Sequence, residues 1–335
     1  MKEVYPGIFL IKEKGSFSAI KPPENIYVLA GHDGIIYDAG YGTKRAIKDF
    51  LKELKRIEDN YKIQGKKFNL TRILVSHAHP DHFSGLKRLR EELGVEIVLI
   101  KKTAEIIKDK NSHYNSFRTD DYNDYLRMRK KFIRKIINVL RNVGSRLFYR
   151  RIYGISFIDE PEEIIEEKCQ IYINGENWNI FPSPGHALDH ITLYNEEKGV
   201  LFSGDNILSI TTWLGPPNCS LEDYIKSIET IQNLPNLKII LPAHGDPIEN
   251  PNKRLVEILE HRNIRKQQVL DLIYDNSEKG ISPKDIIKAL YPNNSKFLHQ
   301  VARGWVVLTL KMLENKNLIK RREIKKKILF FPNKN

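Results

Sequence analysis

Six consecutive residues, His77-Ala78-His79-Pro80-Asp81-His82, constrain the fold of this chain more than any other stretch. Four of the six can bind a divalent metal, and they follow directly on the apolar, strand-like run Ile73-Leu74-Val75. A ligand cluster at the end of a paired strand stands on backbone that the neighbouring strands hold rigid. The imidazoles offer nitrogen and Asp81 a hard oxygen, a mixture suited to zinc or a related first-row metal. Four donors within six residues are too crowded for one tetrahedral ion with an open position. The spacing therefore points to two adjacent metals, with other ligands arriving from elsewhere in the chain. The plain alternative is a polar loop whose histidines are incidental, and the rest of the sequence argues against it.

Three later segments supply what is missing. Pro182-Ser183-Pro184-Gly185-His186 puts an imidazole at a tight bend just after a strand-like run. Phe202-Ser203-Gly204-Asp205 puts a carboxylate at the end of the next run but one, and Leu241-Pro242-Ala243-His244-Gly245 places a last imidazole in the same way. Each follows an apolar run, so all three can converge on one edge of a sheet. A single histidine after a strand is usually a hydrogen-bonded turn residue. Three such segments in this order, together with the opening cluster, argue against coincidence.

The pattern around them is that of an α/β domain. Short strands are predicted over 8–12, 26–30 and 34–38, the second and third joined by the turn Gly31-His32-Asp33-Gly34. Thr43 to Leu54 reads as a helix, with Ala46, Ile47, Phe50, Leu51 and Leu54 at helical spacing. A strand at 72–75, a helix over 85–93 closed by Gly94 and a strand over 95–100 continue the rhythm. Further strands are expected at 169–173, 178–181, 191–194, 200–203 and 238–241, with a helix over 221–234. Residues 101–155 break the rhythm with one long helical pattern, Tyr122, Tyr125, Leu126, Ile133, Ile136, Ile137 and Leu140 sharing a face. Thr119-Asp120-Asp121 is its expected start and Gly144 its stop. From 255 onward, a helix over 255–275, a second opened by Ser282-Pro283, a third over 297–315 and a basic hairpin make a winged-helix-like outline.

The net charge of +13 is unevenly spread, about +10 in each of 101–155 and 260–335 and −11 across 156–259. Two basic blocks of this kind can gather polyanions, although solvated lysine-rich helices account for them equally well. No run of eighteen apolar residues exists, so no membrane span is expected, and the first residues lack the long apolar centre of a signal peptide. Two cysteines, Cys169 and Cys219, cannot build a disulfide framework, and a reducing, cytoplasmic setting is the expectation.

With these residues in place, the sequence resembles the metallo-β-lactamase superfamily, whose signature is His-x-His-x-Asp-His followed by single His, Asp and His ligands. Asn25-Ile26-Tyr27-Val28-Leu29 and Ile36-Tyr37-Asp38-Ala39-Gly40 also look like the family's opening hairpin and early Asp motif. The resemblance implies a four-layer αβ/βα sandwich, with residues 1–254 as the catalytic domain, 101–155 as a basic helical insertion and 255–335 as a winged-helix-like domain. It implies two divalent metal ions, Zn2+ by preference. His77, His79 and His186 would hold one, Asp81, His82 and His244 the other, and Asp205 would bridge. Asp38 would orient a ligand imidazole, and His190 is either a substrate-facing or a supporting group. His32 and His113 have no supporting context. The implied chemistry is attack by a metal-activated hydroxide, with Asp81 both ligating and steering the nucleophile.

Three functions fit. The first is hydrolysis of a small, anionic ester, thioester or lactone, with Tyr114, Phe117, Tyr122 and Tyr125 lining an apolar pocket under the insertion. The alternative is an endoribonuclease on single-stranded RNA gripped by the two basic blocks. That resemblance is partial, because Asp205 and His244 are only 39 apart and leave no room for the large domain inserted there in the RNA-processing branch. The third, ranked last because every metal ligand is present, is a non-catalytic nucleic-acid-binding regulator reading DNA with Arg303, Lys311 and Lys316. The apolar run Trp305-Val306-Val307-Leu308 favours packing over reading, and a homodimer is one use of such a helix.

Overall fold

Strand alternation builds the layers. In β3 (Glu24–Leu29), Ile26 and Val28 point to one core while Tyr27 and Leu29 point to another. In β4 (Gly34–Tyr37) Ile36 goes one way and Ile35 and Tyr37 the other, and in β6 (Glu96–Ile100) Ile97 and Leu99 oppose Val98 and Ile100. A strand apolar on both faces must be covered on both, which forces a layered structure. The computed structural model describes residues 1–15, 21–117, 121–126, 151–292 and 296–333.

The first sheet has seven strands in sequence order: β1 (Lys2–Tyr5), β2 (Ile8–Glu13), β3, β4, β5 (Leu70–Leu74), β6 and β7 (Glu163–Ile165). It is antiparallel through β4 and parallel from β4 to β7. The second sheet runs β12 (Ile239–Pro242), β11 (Val200–Gly204), β10 (Ile191–Asn195), β9 (Glu176–Pro182), β8 (Cys169–Ile173). Only its β11–β12 pair is parallel. The sheets face each other across Phe202, whose ring lies 5.1 Å from Tyr27, 5.0 Å from Tyr37 and 5.6 Å from Trp178. Burying such a ring contributes about 2–3 kcal/mol from area alone.

Helix α1 (Lys44–Ile63), capped by Thr43, covers the outer face of the first sheet together with α3 (Leu86–Leu93) and α4 (Lys101–Ile107). It outruns the predicted end at Leu54 because Ile57 and Tyr61 continue its buried stripe. Helix α7 (Leu221–Gln232) covers the second sheet, against Tyr194, Leu201 and Ile240. The result is the expected αβ/βα sandwich.

Residues 101–155 are described in part, as α4, α5 (Lys110–Ser116) and α6 (Asp121–Leu126). Asp109 caps α5 by accepting the Asn111 and Ser112 N–H groups, and α6 starts at the Asp121 expected to open the long helix. Ile133, Ile136, Ile137, Leu140 and the Gly144 stop lie outside the described residues, as do Thr119 and Asp120.

After β12 come α8 (Pro251–Asp275), α9 (Pro283–Leu290), α10 (Lys296–Asn315) and the hairpin β13 (Ile319–Ile324)–β14 (Lys327–Pro332). Ser282 caps α9 by accepting the Asp285 N–H. These elements pack on α7 and α6 through one continuous core that includes Leu255, Ile258, Val306 and Leu310. Among the described residues, no helix is long and apolar enough to cross a membrane.

Candidate metal centre

The four predicted ligand segments leave strands of both sheets at the same edge. His77 to His82 follow β5, and Pro80 opens the one-turn helix α2 (Pro80–Phe83) with Asp81 in its first turn. His186 follows β9, Asp205 follows β11 and His244 follows β12. All seven predicted ligands meet there. His186 Nε2 lies 2.9 Å from His79 Nδ1 and 3.2 Å from Asp205 Oδ2, and the His77 ring centroid is 4.4 Å from that of His79. His244 Nε2 lies 3.4 Å from Asp205 Oδ1 and 3.6 Å from Asp81 Oδ2; His82 Nε2 is 3.8 Å from Asp81 Oδ1. Two donor sets result, His77–His79–His186–Asp205 and Glu24–Asp81–His82–His244. Asp205 stands between them, with Oδ2 near His186 Nε2 and 3.7 Å from His82 Nε2 and Oδ1 near His244 Nε2.

Hydrogen bonds behind the rings decide which nitrogens face inward. His186 Nδ1 lies 3.1 Å from the Trp213 carbonyl and His244 Nδ1 2.6 Å from that of Pro23, so each donates rearward and aims Nε2 at the centre. His82 Nδ1 lies 3.1 Å from Asp38 Oδ2. Asp38 is itself held by the Ser76 N–H at 2.8 Å and sits at a φ of +63°, just beyond β4. His190 is buried. It accepts the Asp205 N–H at Nε2 (3.1 Å) and meets the Ser183 hydroxyl at Nδ1, so it supports Asp205 rather than facing a substrate. Gly204 permits that approach: with φ at +48°, a Cβ there would sit 2.4 Å from His190 Nε2.

The electrostatics of the two halves differ. Burial, then the neighbouring imidazoles, push His77 and His79 well below the ordinary histidine range, which leaves them neutral and ready to coordinate. In the other half burial pulls His244 down, but Glu24 and Asp205 outweigh it and hold it at about 11. His82 is likewise raised by Glu24, Asp38, Asp205 and Asp81 against its own burial. Asp205 is held well below the usual carboxylate range, since His244, His82 and His186 outweigh its burial.

The donors fit a divalent metal. Among the described residues, His77 Nε2, His82 Nε2, Asp205 Oδ1 and both Glu24 oxygens are buried without a hydrogen-bond partner, although buried polar atoms are almost always satisfied. Within each set the donor atoms lie within 4.8 Å of one another.

Several residues of this centre carry no motif. Glu24, fully buried, opens β3 beside His244; the only signal was a carboxylate starting a strand that is apolar on both faces. Asn25 ties β3 to the His244 loop by donating to the carbonyls of Pro242 and Gly245. Asp189, also buried, accepts the Ala78 N–H and the Thr103 hydroxyl, which braces the His77–His79 turn from behind. His113 is not incidental: it bonds to the Ala78 main chain and packs on Phe83, Phe117 and Phe157, with burial lowering it to about 4. His32 stays in its turn at the far end of β4. Cys219 lies behind His186 with its thiol on the His186 carbonyl, and burial pushes that thiol up to about 12.

Of the four aromatics expected to line a pocket, Phe117 does reach the centre, its ring 5.5 Å from His79. Tyr125 does not. It stacks on Phe330 and donates to Glu314, because the apolar stripe of α6 is drawn to the C-terminal helices. Tyr114 is 38% exposed, and the Tyr122 side chain lies outside the described residues.

Comparison with known proteins places this geometry. Residues 21–244 match the profile of the Metallo-beta-lactamase superfamily. A beta-lactamase-like protein 2 homolog of Caenorhabditis elegans is 24% identical over 290 residues, covering 86% of this chain and 78% of the relative. A probable metallo-hydrolase of Bacillus subtilis is 24% identical over 281 residues, covering 80% of each. Among solved structures, a metallo-beta-lactamase family protein from Thermus thermophilus superposes with a TM-score of 0.71 at 19% identity, over 98% of this chain and 100% of the other.

Proposed function

We propose, from the premise that the chain belongs to the metallo-β-lactamase superfamily and is a metal-dependent hydrolase, that it cleaves an ester, thioester or lactone bearing an apolar acyl group. In this reading two Zn2+ ions are held by His77, His79 and His186 and by Asp81, His82 and His244, with Asp205 between them.

The observation that carries the substrate class is an apolar rim. Leu188, Ile210 and Trp213 are 45%, 64% and 48% exposed. Leu188 stands two residues beyond His186, and the Trp213 carbonyl takes the His186 Nδ1 proton. The Phe117 ring lies 5.5 Å from that of His79. In this reading these apolar side chains beside the centre form the binding surface. RNA would ask for free cations there, but two cations at this rim are committed. Lys102 reaches the Leu188 carbonyl and Glu167, and Arg254 donates to the carbonyls of Leu208 and Ile210. The DNA-reading alternative meets a physical obstacle: Val306 to Leu310 of α10 are all buried, so that stretch has no face free to enter a groove.

Two divalent ions, when bound, supply nucleophilic hydroxide at neutral pH and polarise the carbonyl under attack. The chain's residues do the rest. Asp81 is the most open carboxylate of the centre, its side chain 16% exposed against 9% for Asp205 and none for Glu24. It orients the attacking water and would relay the water's proton to the alkoxide or thiolate that departs as the acyl C–O or C–S bond breaks. Trp213, Leu188 and Phe117 cover the acyl chain and exclude water from it.

The test is a panel of acyl thioesters, esters and lactones of rising chain length, with a single-stranded RNA, offered to Zn2+-loaded protein. Support is acyl turnover that improves with chain length, loses that gain in Trp213→Ala and falls by about 10²–10⁴ in Asp81→Asn. Failure on every acyl compound sinks the reading. RNA cleavage with steeply salt-dependent affinity would replace it.

A further inference from the structure

We propose that Glu24 is itself a metal donor, and that its carboxylate makes the Asp81–His82–His244 half of the centre an oxygen-rich pocket suited to Mn2+, beside a nitrogen-rich half suited to Zn2+. The inference rests on the metal-dependent reading above and adds a ligand and a metal preference to it.

Glu24 begins a strand whose six residues are all buried, and its own side chain has no exposed surface. Among the described residues, no N–H or O–H group bonds to either of its oxygens. Two imidazoles stand beside it: His244 Nε2 at 3.2 Å from Oε2, and His82 Nδ1 at 3.3 Å from Oε1. A carboxylate taken out of water with no donor is expensive to keep unless it is paired or coordinates a cation.

Orienting His82 does not account for it. Asp38 Oδ2 stands nearer the same Nδ1, at 3.1 Å, and Asp38 is anchored for that task by Ser76. The other oxygen of Glu24 faces the inward nitrogen of His244, because the outward one is committed to the Pro23 carbonyl. Oε2 therefore lies on the side where a cation would sit.

The donor sets follow. One half offers three imidazoles and an oxygen of Asp205; the other offers two imidazoles with Glu24, Asp81 and the second oxygen of Asp205. Imidazole-rich sets suit zinc, and carboxylate-rich sets suit harder ions such as Mn2+.

The test uses chelator-treated full-length protein given one equivalent of Zn2+ and then titrated with Mn2+. Bound manganese is read from the loss of the free-ion EPR signal, and metal content by mass spectrometry. The unaltered protein takes up one of each. Glu24→Gln is expected to keep its zinc and to weaken manganese by more than about 100-fold, beyond the roughly 10–100-fold loss typical of removing a group that only supports a ligand. Asp38→Asn, which removes such a support, sets that scale.

Manganese binding in Glu24→Gln within threefold of the unaltered protein, or weakened no more than in Asp38→Asn, overturns the inference and leaves the metal-dependent reading standing. Uptake of neither ion by the unaltered protein overturns both. Anomalous scattering from manganese-loaded crystals decides the matter without any variant: an ion about 2.2 Å from a Glu24 oxygen supports it, and an ion beyond bonding reach refutes it.

Discussion

At the scale of single residues, burying an acid ties stability to pH. Glu13 closes β2 and accepts the Tyr41 N–H at 2.9 Å, yet burial raises its pKa from 4.5 to about 7 against the pull of that bond and of Lys21. A raised acid is bound to its proton more tightly in the folded chain than in the unfolded one. Its contribution to stability is therefore complete below about pH 4.5, declines as pH rises and is gone above about pH 7. At about 1.4 kcal/mol per pH unit, the loss is at most about 3.5 kcal/mol. Glu13→Gln keeps a carbonyl for Tyr41 and removes the charge, so urea unfolding at pH 5 and pH 8 is expected to show a flatter profile than the unaltered protein. An unchanged difference between the two pH values would show that Glu13 ionises freely.

At the scale of elements, the loops that follow β9 and β11 are held from outside the sandwich. Arg262 on α8 is buried, donates from Nη2 to the Thr212 carbonyl at 2.7 Å and lies over the Tyr224 ring. The next residue, Trp213, carries the carbonyl that orients His186. Replacing Arg262 by Ala removes a charged hydrogen bond worth about 1.5–3 kcal/mol and frees this loop. The urea midpoint is expected to fall accordingly, and zinc affinity to drop about tenfold or more through His186. A stability loss with full metal affinity would separate the loop from the centre. In the C-terminal hairpin, Lys325 and Lys326 form the turn with φ of +48° and +64°. Two-residue hairpin turns of this kind favour Asn-Gly. The double change Lys325→Asn and Lys326→Gly is expected to raise stability by about 1 kcal/mol, seen as a higher melting temperature.

At the scale of the whole molecule, the C-terminal helices are not an appendage on a finished sandwich. Tyr194, Leu221, Tyr224, Ile228 and Ile231 share one core with Leu255, Ile258, Val306 and Leu310. Ending the chain after residue 250 exposes that face of α7 and of the second sheet. The shortened chain is expected to be insoluble or to bind a hydrophobic dye strongly, and to lose sharp thermal unfolding. A cooperative, soluble product would show that the sandwich stands alone.

The sequence by itself determined the reaction class and most of the architecture. Apolar strand runs and strand-end histidines are local patterns, and chain order carries them: His77 to His82, His186, Asp205 and His244 all follow strands, and all leave the sheets at one edge. Ser282 announced its helix for the same local reason. Tertiary structure alone decided the rest. Glu24, Asp189 and Arg262 have no motif, because their roles depend on partners 220, 111 and 50 positions away. Tyr125 left the expected pocket because a distant core claimed its helix face. A ligand held by its own strand end can be read along the chain. A carboxylate that matters only for what the fold brings beside it cannot.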